Sequence, residues 1–137
     1  MSATYTAVPS VTATTGPLVG TGVVAAALAS GATTIVAAAG HAAGISLDVG
    51  GAPIPVTGFA VLTAVFSLVG LVLAAVLSPA ARRPRSTFIR STVVLTVLSL
   101  VPDVIADATP ATKALLMLTH LVAASIVIPA VARQLTA

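Results

Sequence analysis

The sequence predicts an all-α, polytopic membrane protein, a four-transmembrane-helix bundle, and three observations predict it. The first is composition: of 137 residues, 58% are hydrophobic and 7% are charged, against roughly 45–50% and roughly 25% in soluble domains. A water-soluble fold would lack the polar side chains to cover itself, and a mean hydropathy of +1.16 says the same. The second is pattern: four apolar stretches each reach the roughly 20 residues that a spanning helix needs. The third is the placing of the bases. Arg82, Arg83, Arg85 and Arg90 gather around one connection and Arg133 follows the last stretch, which is how short cytoplasmic loops are marked.

Taken in order, residues 1–16, MSATYTAVPSVTATTG, are rich in Thr, Ser and Ala and carry no charged side chain. They read as a flexible cytoplasmic tail, and 17–137 as a single transmembrane domain. The first helix is expected over 18–40. No Lys or Arg precedes it, and its apolar core exceeds the roughly 7–15 residues of a signal peptide, so it reads as a retained helix. The second covers 56–77, stopped by Pro79 and the run ARRPR. The third covers 88–106 and the fourth 113–132. Val, Ile and Thr occur at strand-like density, but transmembrane strands take only about 9–11 residues and alternate polar with apolar, which these stretches do not.

Orientation follows from the bases. With both termini cytoplasmic, all five arginines lie inside a cell membrane and only Lys113 lies outside; Asp48, Asp103 and Asp107 fall on the outer side. The net charge of +3 is then a topology signal and not a nucleic-acid footprint, since Phe88 is the only aromatic residue near the arginines. The cytoplasmic basic loop Arg82 to Arg90 reads as topogenic, with headgroup contact and Arg90 snorkelling. Its alternative is a docking patch for a cytoplasmic partner or for anionic lipid.

Lipid tails are as apolar as leucine, so helices must be held together by small residues and hydrogen bonds. The first helix offers Gly22, Ala26 and Ser30 at spacing four, continued by Thr33 and Ala37. The second offers Ser67, Gly70, Ala74 and Ser78. Pro102 and Pro129 cannot donate to the carbonyls of Leu98 and Ser125, so each loosens its helix and is a kink candidate. Between the first two helices, His41 to Pro55 forms a glycine-rich outer loop; the sequence leaves open whether it folds onto the bundle or stands in solvent.

Two ionisable residues lie at depth, and such groups usually face the bundle interior and pair. Asp103 sits near the outer end of the third helix, and His120 about 10 Å along the fourth from Lys113 at 1.5 Å per residue. Antiparallel neighbours joined by a short turn bring them within hydrogen-bonding reach, so His120 is expected to be an inward polar anchor with Asp103 as its partner. A structural hydrogen bond is the simpler reading. A proton- or cation-responsive site is the sharper one, because imidazole changes charge near neutral pH.

Other chemistry is set aside. The absence of cysteine removes thiolate catalysis, disulfides and iron–sulfur ligation. There is no P-loop. Ser99 or Ser125 with His120 and Asp103 makes a triad only on paper, since serines in apolar helices bond back to backbone carbonyls. His41 and Asp48 lack metal-site spacing. No catalytic residue, metal or cofactor is expected, and the chain does not read as an enzyme.

Four helices, a basic middle connection, then SLVPD at Ser99 to Asp103 and HLVAASIVIP at His120 to Pro129, resemble an uncharacterised family of small four-helix integral membrane proteins from actinobacteria. That resemblance implies an inner-membrane bundle with no established activity, its His and Ser-x-x-Pro positions falling on His120, Ser99 and Pro102. Small multidrug transporters resemble the chain poorly, since they carry an acid in the first helix. Two functions stay open: a non-enzymatic accessory or scaffold subunit acting through helix contacts, or a proton- or cation-coupled transporter or channel component using Asp103 and His120. The expected partners are the lipid bilayer and either other membrane subunits or a second copy of the chain.

Overall fold

A computed structural model describes residues 15–137; the predicted tail over 1–14 lies outside the described residues. Four helices carry the chain: α1 Thr15–Ala42, α2 Val56–Ala80, α3 Pro84–Ile105 and α4 Pro110–Ala132, with a two-residue strand pair, β1 Asp48–Val49 and β2 Ala52–Pro53, between α1 and α2. Each helix is long and apolar enough to cross a membrane. Even α3, at 22 residues, rises about 33 Å against a hydrocarbon core of about 30 Å. The chain is thus an all-α, multi-pass membrane protein. α1 packs along α2 and α4, α3 lies against α4 and α2, and α2 and α4 touch across the diagonal.

The elements run longer than the sequence reading placed them. Thr15 and Gly16 belong to α1, not to a tail, and His41 is in the last turn of α1, not in the outer loop. Pro79 does not stop α2: its fixed φ suits a helix, the hydrogen bond it forfeits lies in the last turn, and the Ala81 N–H closes that turn on the Leu77 carbonyl at 2.9 Å. α3 starts four residues before Phe88, because Pro84 at its first turn is preorganised for helix. The basic connection therefore shrinks to 81–83. Arg82 and Arg83 stay in it, whereas Arg85 and Arg90 are exposed on α3. α3 continues past Pro102 to Ile105 and α4 past Pro129 to Ala132.

α1 buries Leu18, Gly22, Ala25, Ala29, Thr33, Ala37 and Gly40, at spacings of three and four. Ala26 and Ser30 are only half-buried, which corrects the expected small-residue face. α1 serves two neighbours, so its buried stripe centres on Ala25 and Ala29 between two seams. Leu71 of α2 fills the space over Gly22 and Leu115 of α4 the space over Gly40. On α2 the buried residues are Phe59, Ser67, Leu71 and Ala74. Gly70 stands half-buried at the edge of that stripe, and a Cβ built on it would meet nothing within 4 Å, so no neighbour requires a glycine there.

The core has two parts. At the arginine end, Leu18, Leu71, Ala74, Phe88, Val127, Val131 and Leu135 pack together; at the other end, Ala37, Leu47, Phe59 and Leu115 do. Leu47 belongs to the connection from α1 to α2, which settles how that segment lies. Gly50 and Gly51, with φ of 60° and 79°, make the tight turn that needs positive φ at both central residues. The Gly50 N–H donates to the Asp107 carbonyl at 2.8 Å, and the Thr112 hydroxyl donates to the Ser46 carbonyl. The segment between α1 and α2 is folded down over this end of the bundle.

Candidate functional site

The connection from α3 to α4 sets the site. The Thr109 hydroxyl accepts from the Thr112 N–H at 3.2 Å and Pro110 takes the first turn of α4, a combination that fixes a helix start. Lys113 then reaches back, its Nζ donating to the Val104 carbonyl at 2.9 Å. That satisfies one of the carbonyls left open at the α3 C-terminus, where a cation is also favoured by the helix dipole. So clamped, α3 and α4 run antiparallel at short range.

Asp103 lies two residues before the end of α3. His120 lies further along α4, but side chains on a helix lean toward its N-terminus, and the imidazole spans the difference. Its Nδ1 stands 3.0 Å from Asp103 Oδ2. The expected pair is formed. Nδ1 is also 3.0 Å from the Leu116 carbonyl one turn earlier, so the two acceptors compete for one N–H. The geometry satisfies the carbonyl, and Asp103 Oδ2 is left buried with no hydrogen-bond partner. The Asp103 side chain is 10% exposed and that of His120 33% exposed. The carboxylate is thus enclosed while the imidazole keeps an open edge.

Other hydroxyls near this seam are already engaged. Ser99 donates to the Thr96 carbonyl at 2.7 Å, Thr96 to that of Thr92 at 2.8 Å and Thr92 to that of Phe88 at 2.7 Å. Ser125, exposed, donates to the Val122 carbonyl at 2.8 Å. Each hydroxyl proton is spent on its own helix, which is no arrangement for a nucleophile.

Sequence reasoning missed a second polar contact, between the Thr33 and Thr63 hydroxyls at 2.9 Å across the α1–α2 seam. Thr63 could have been found by spacing, since it falls four residues after Phe59 and four before Ser67 on the buried stripe. Ser30 Oγ, close by in sequence on α1, is buried without a partner. The Thr112 to Ser46 bond was not foreseeable, because it depends on where the outer segment folds. His41 and Asp48 both line an open cleft of about 480 Å³ beside that segment. Ser46 occupies the aspartate, donating to its Oδ2 at 2.7 Å. Among the described residues, no group of three or more His, Cys, Asp or Glu side chains comes together as metal ligands would.

Compared with known proteins, residues 13–137 match the model of a family of unknown function (DUF6069), and the chain belongs to that family. No curated protein and no solved structure matches it.

Proposed function

We propose that this member of a family of unknown function works by contact inside the cell membrane, as a non-enzymatic accessory or scaffold subunit with both termini cytoplasmic. One observation carries the reading: no residue of α3 from Val93 to Pro102 is buried, although Thr96 and Ser99 stand half-buried in that stretch. In lipid, apolar surface does not by itself draw helices together, whereas close-packed small and hydroxyl residues do. The Thr96 and Ser99 side of α3, opposite Val94, Val97 and Val101, is where a helix from another subunit or a second copy fits. A photo-crosslinking residue placed at Ser99 should capture a stoichiometric protein partner in native membranes. The same residue at Val61, exposed on α2, should capture lipid. Lipid adducts alone at Ser99 refute the proposal.

A second reading is favoured by Asp103 Oδ2, a buried carboxylate oxygen with no donor beside a part-exposed imidazole. The pair then binds a proton or cation in a transporter or channel component. Fully buried Phe88 and Val131 fill the bundle toward the arginine end, so a path across the membrane needs more than one copy. Flux into proteoliposomes that falls to background on His120→Ala supports this reading. Negligible flux in wild type and variant removes it.

A further inference from the structure

We infer that the lipid-facing side of α3 at the arginine end holds the phosphate headgroup of an anionic phospholipid, clasped between Arg83 and Arg90. Arg83 is the residue preceding the first turn of α3, and Arg90 follows it by seven positions. Seven residues are close to two helical turns, so their Cα positions fall on one side of α3, about 10 Å apart along its axis, and Arg83, at the N-cap with φ of -133° and ψ of 75°, stands just outside the helix itself. Thr87, half-buried, lies between them, and Arg83 and Arg90 are both exposed. Beyond Arg90 the same side continues as Val94, Val97 and Val101, which are 56%, 60% and 50% exposed. A charged pair at the membrane surface thus leads directly into an apolar track suited to an acyl chain.

Such an anion would meet Arg90 where its side chain ends. Arg90 lies about 9 Å along α3 from Pro84 at 1.5 Å per residue, near enough to the helix start for its guanidinium to snorkel back to the headgroup layer. Its own chain offers no carboxylate side chain there. The three acids are Asp48, Asp103 and Asp107, all at the opposite end, and the one ion pair among the described residues is between Asp103 and His120. Arginine is also the side chain whose planar fork binds phosphate oxygens two at a time. Arg82, Arg85 and Arg133, all exposed at that end, add a field that favours a net-negative headgroup over a zwitterionic one.

Native mass spectrometry of the full chain, with equal phosphatidylglycerol and phosphatidylcholine in the detergent, tests this. Phosphatidylglycerol should be retained preferentially. Arg83→Gln with Arg90→Gln should lower that preference by roughly fivefold or more per arginine. Arg82→Gln with Arg133→Gln, the same loss of charge, should leave most of it. Arg90→Lys, the mildest change, should weaken retention while leaving helical content and monodispersity unchanged. Equal retention of the two lipids by wild type overturns the proposal. So does an equal loss in the two charge-matched pairs, which marks a diffuse field, and so does displacement of phosphatidylglycerol by millimolar inorganic phosphate, which marks a site for free phosphate.

Discussion

Asp103 and His120 show how a polar pair is tolerated in a chain built for hydrocarbon. Each ionisable side chain in a spanning helix costs a few kcal/mol on insertion scales, and the pair offsets part of that by proximity, 3.0 Å between Nδ1 and Oδ2. The offset is incomplete, since Oδ2 has no hydrogen bond. His120→Ala removes the imidazole that stands 3.0 Å from that oxygen and should destabilise the bundle by about 1–3 kcal/mol, at the lower end because the imidazole is part-exposed. Replacing both, Asp103→Leu with His120→Leu, should recover most of the loss, because a pair exchanged for packed apolar groups is often neutral. Unfolding midpoints in mixed micelles check both. A double variant less stable than the single shows that the pair stabilises the fold outright. Glycines separate in the same way. On Gly22 a Cβ would fall 2.5 Å from Leu71 Cδ1, whereas around Gly31 there is nothing within 4 Å. Gly22→Val should therefore cost about 1–3 kcal/mol by overpacking, and Gly31→Ala should be neutral or stabilising by up to about 1 kcal/mol.

At the scale of elements, the end opposite the arginines depends on a relay of threonines. Thr109 caps α4, its hydroxyl lies 2.8 Å from that of Thr112, and Thr112, fully buried, donates onward to the Ser46 carbonyl. Thr112→Val keeps the shape but leaves the Ser46 carbonyl without its donor, while the Thr109 hydroxyl keeps only the backbone N–H of residue 112, a loss of about 1–2 kcal/mol. The effect should be local. Hydrogen exchange should rise at Gly50 and Ile54, whose N–H groups donate to Asp107 and Leu47, and stay unchanged across the α1–α2 seam. Uniform loosening of all four helices would contradict this account. The relay also marks where sequence stops being informative. The existence of four helices, their order and the meeting of Asp103 with His120 follow from hydropathy length and helical spacing, which are local properties. Which side of α1 turns inward does not. Gly22, Ala26 and Ser30 form as good a small face as Gly22, Ala25 and Ala29, and only the simultaneous claims of Leu71 and Leu115 choose between them. Helix ends were misjudged for a related reason. Proline was read as a terminator at Pro79, yet within a last turn it forfeits one hydrogen bond, while Pro84 serves as an initiator.

The whole molecule is polarised along its axis. Leu18 near the start of α1, Phe88 near the start of α3 and Val131 and Leu135 at the close of α4 share one core cluster, so the entry and exit of the helical domain lie at the same end. That end carries all five arginines, and the opposite end carries Asp48, Asp103, Asp107 and Lys113. Translocation of short loops is disfavoured by Lys and Arg and little affected by Asp and Glu, so the proposed orientation rests on the arginines and not on the aspartates. The proposed topology is therefore open to a direct test, since a chain without cysteine accepts single thiol reporters without background. Ala52→Cys sits on the exposed outer hairpin and Gln134→Cys is exposed just beyond α4. In intact cells a membrane-impermeant maleimide should modify the first and reach the second only after permeabilisation; the reverse pattern excludes the orientation. Exchanging Arg82, Arg83 and Arg85 for Gln removes most of the bias while leaving Arg90 and Arg133. It should give a mixed population in which Gln134→Cys becomes partly reactive from outside. Were orientation fixed instead by the folded hairpin capping the other end, that substitution would leave the labelling pattern as it was.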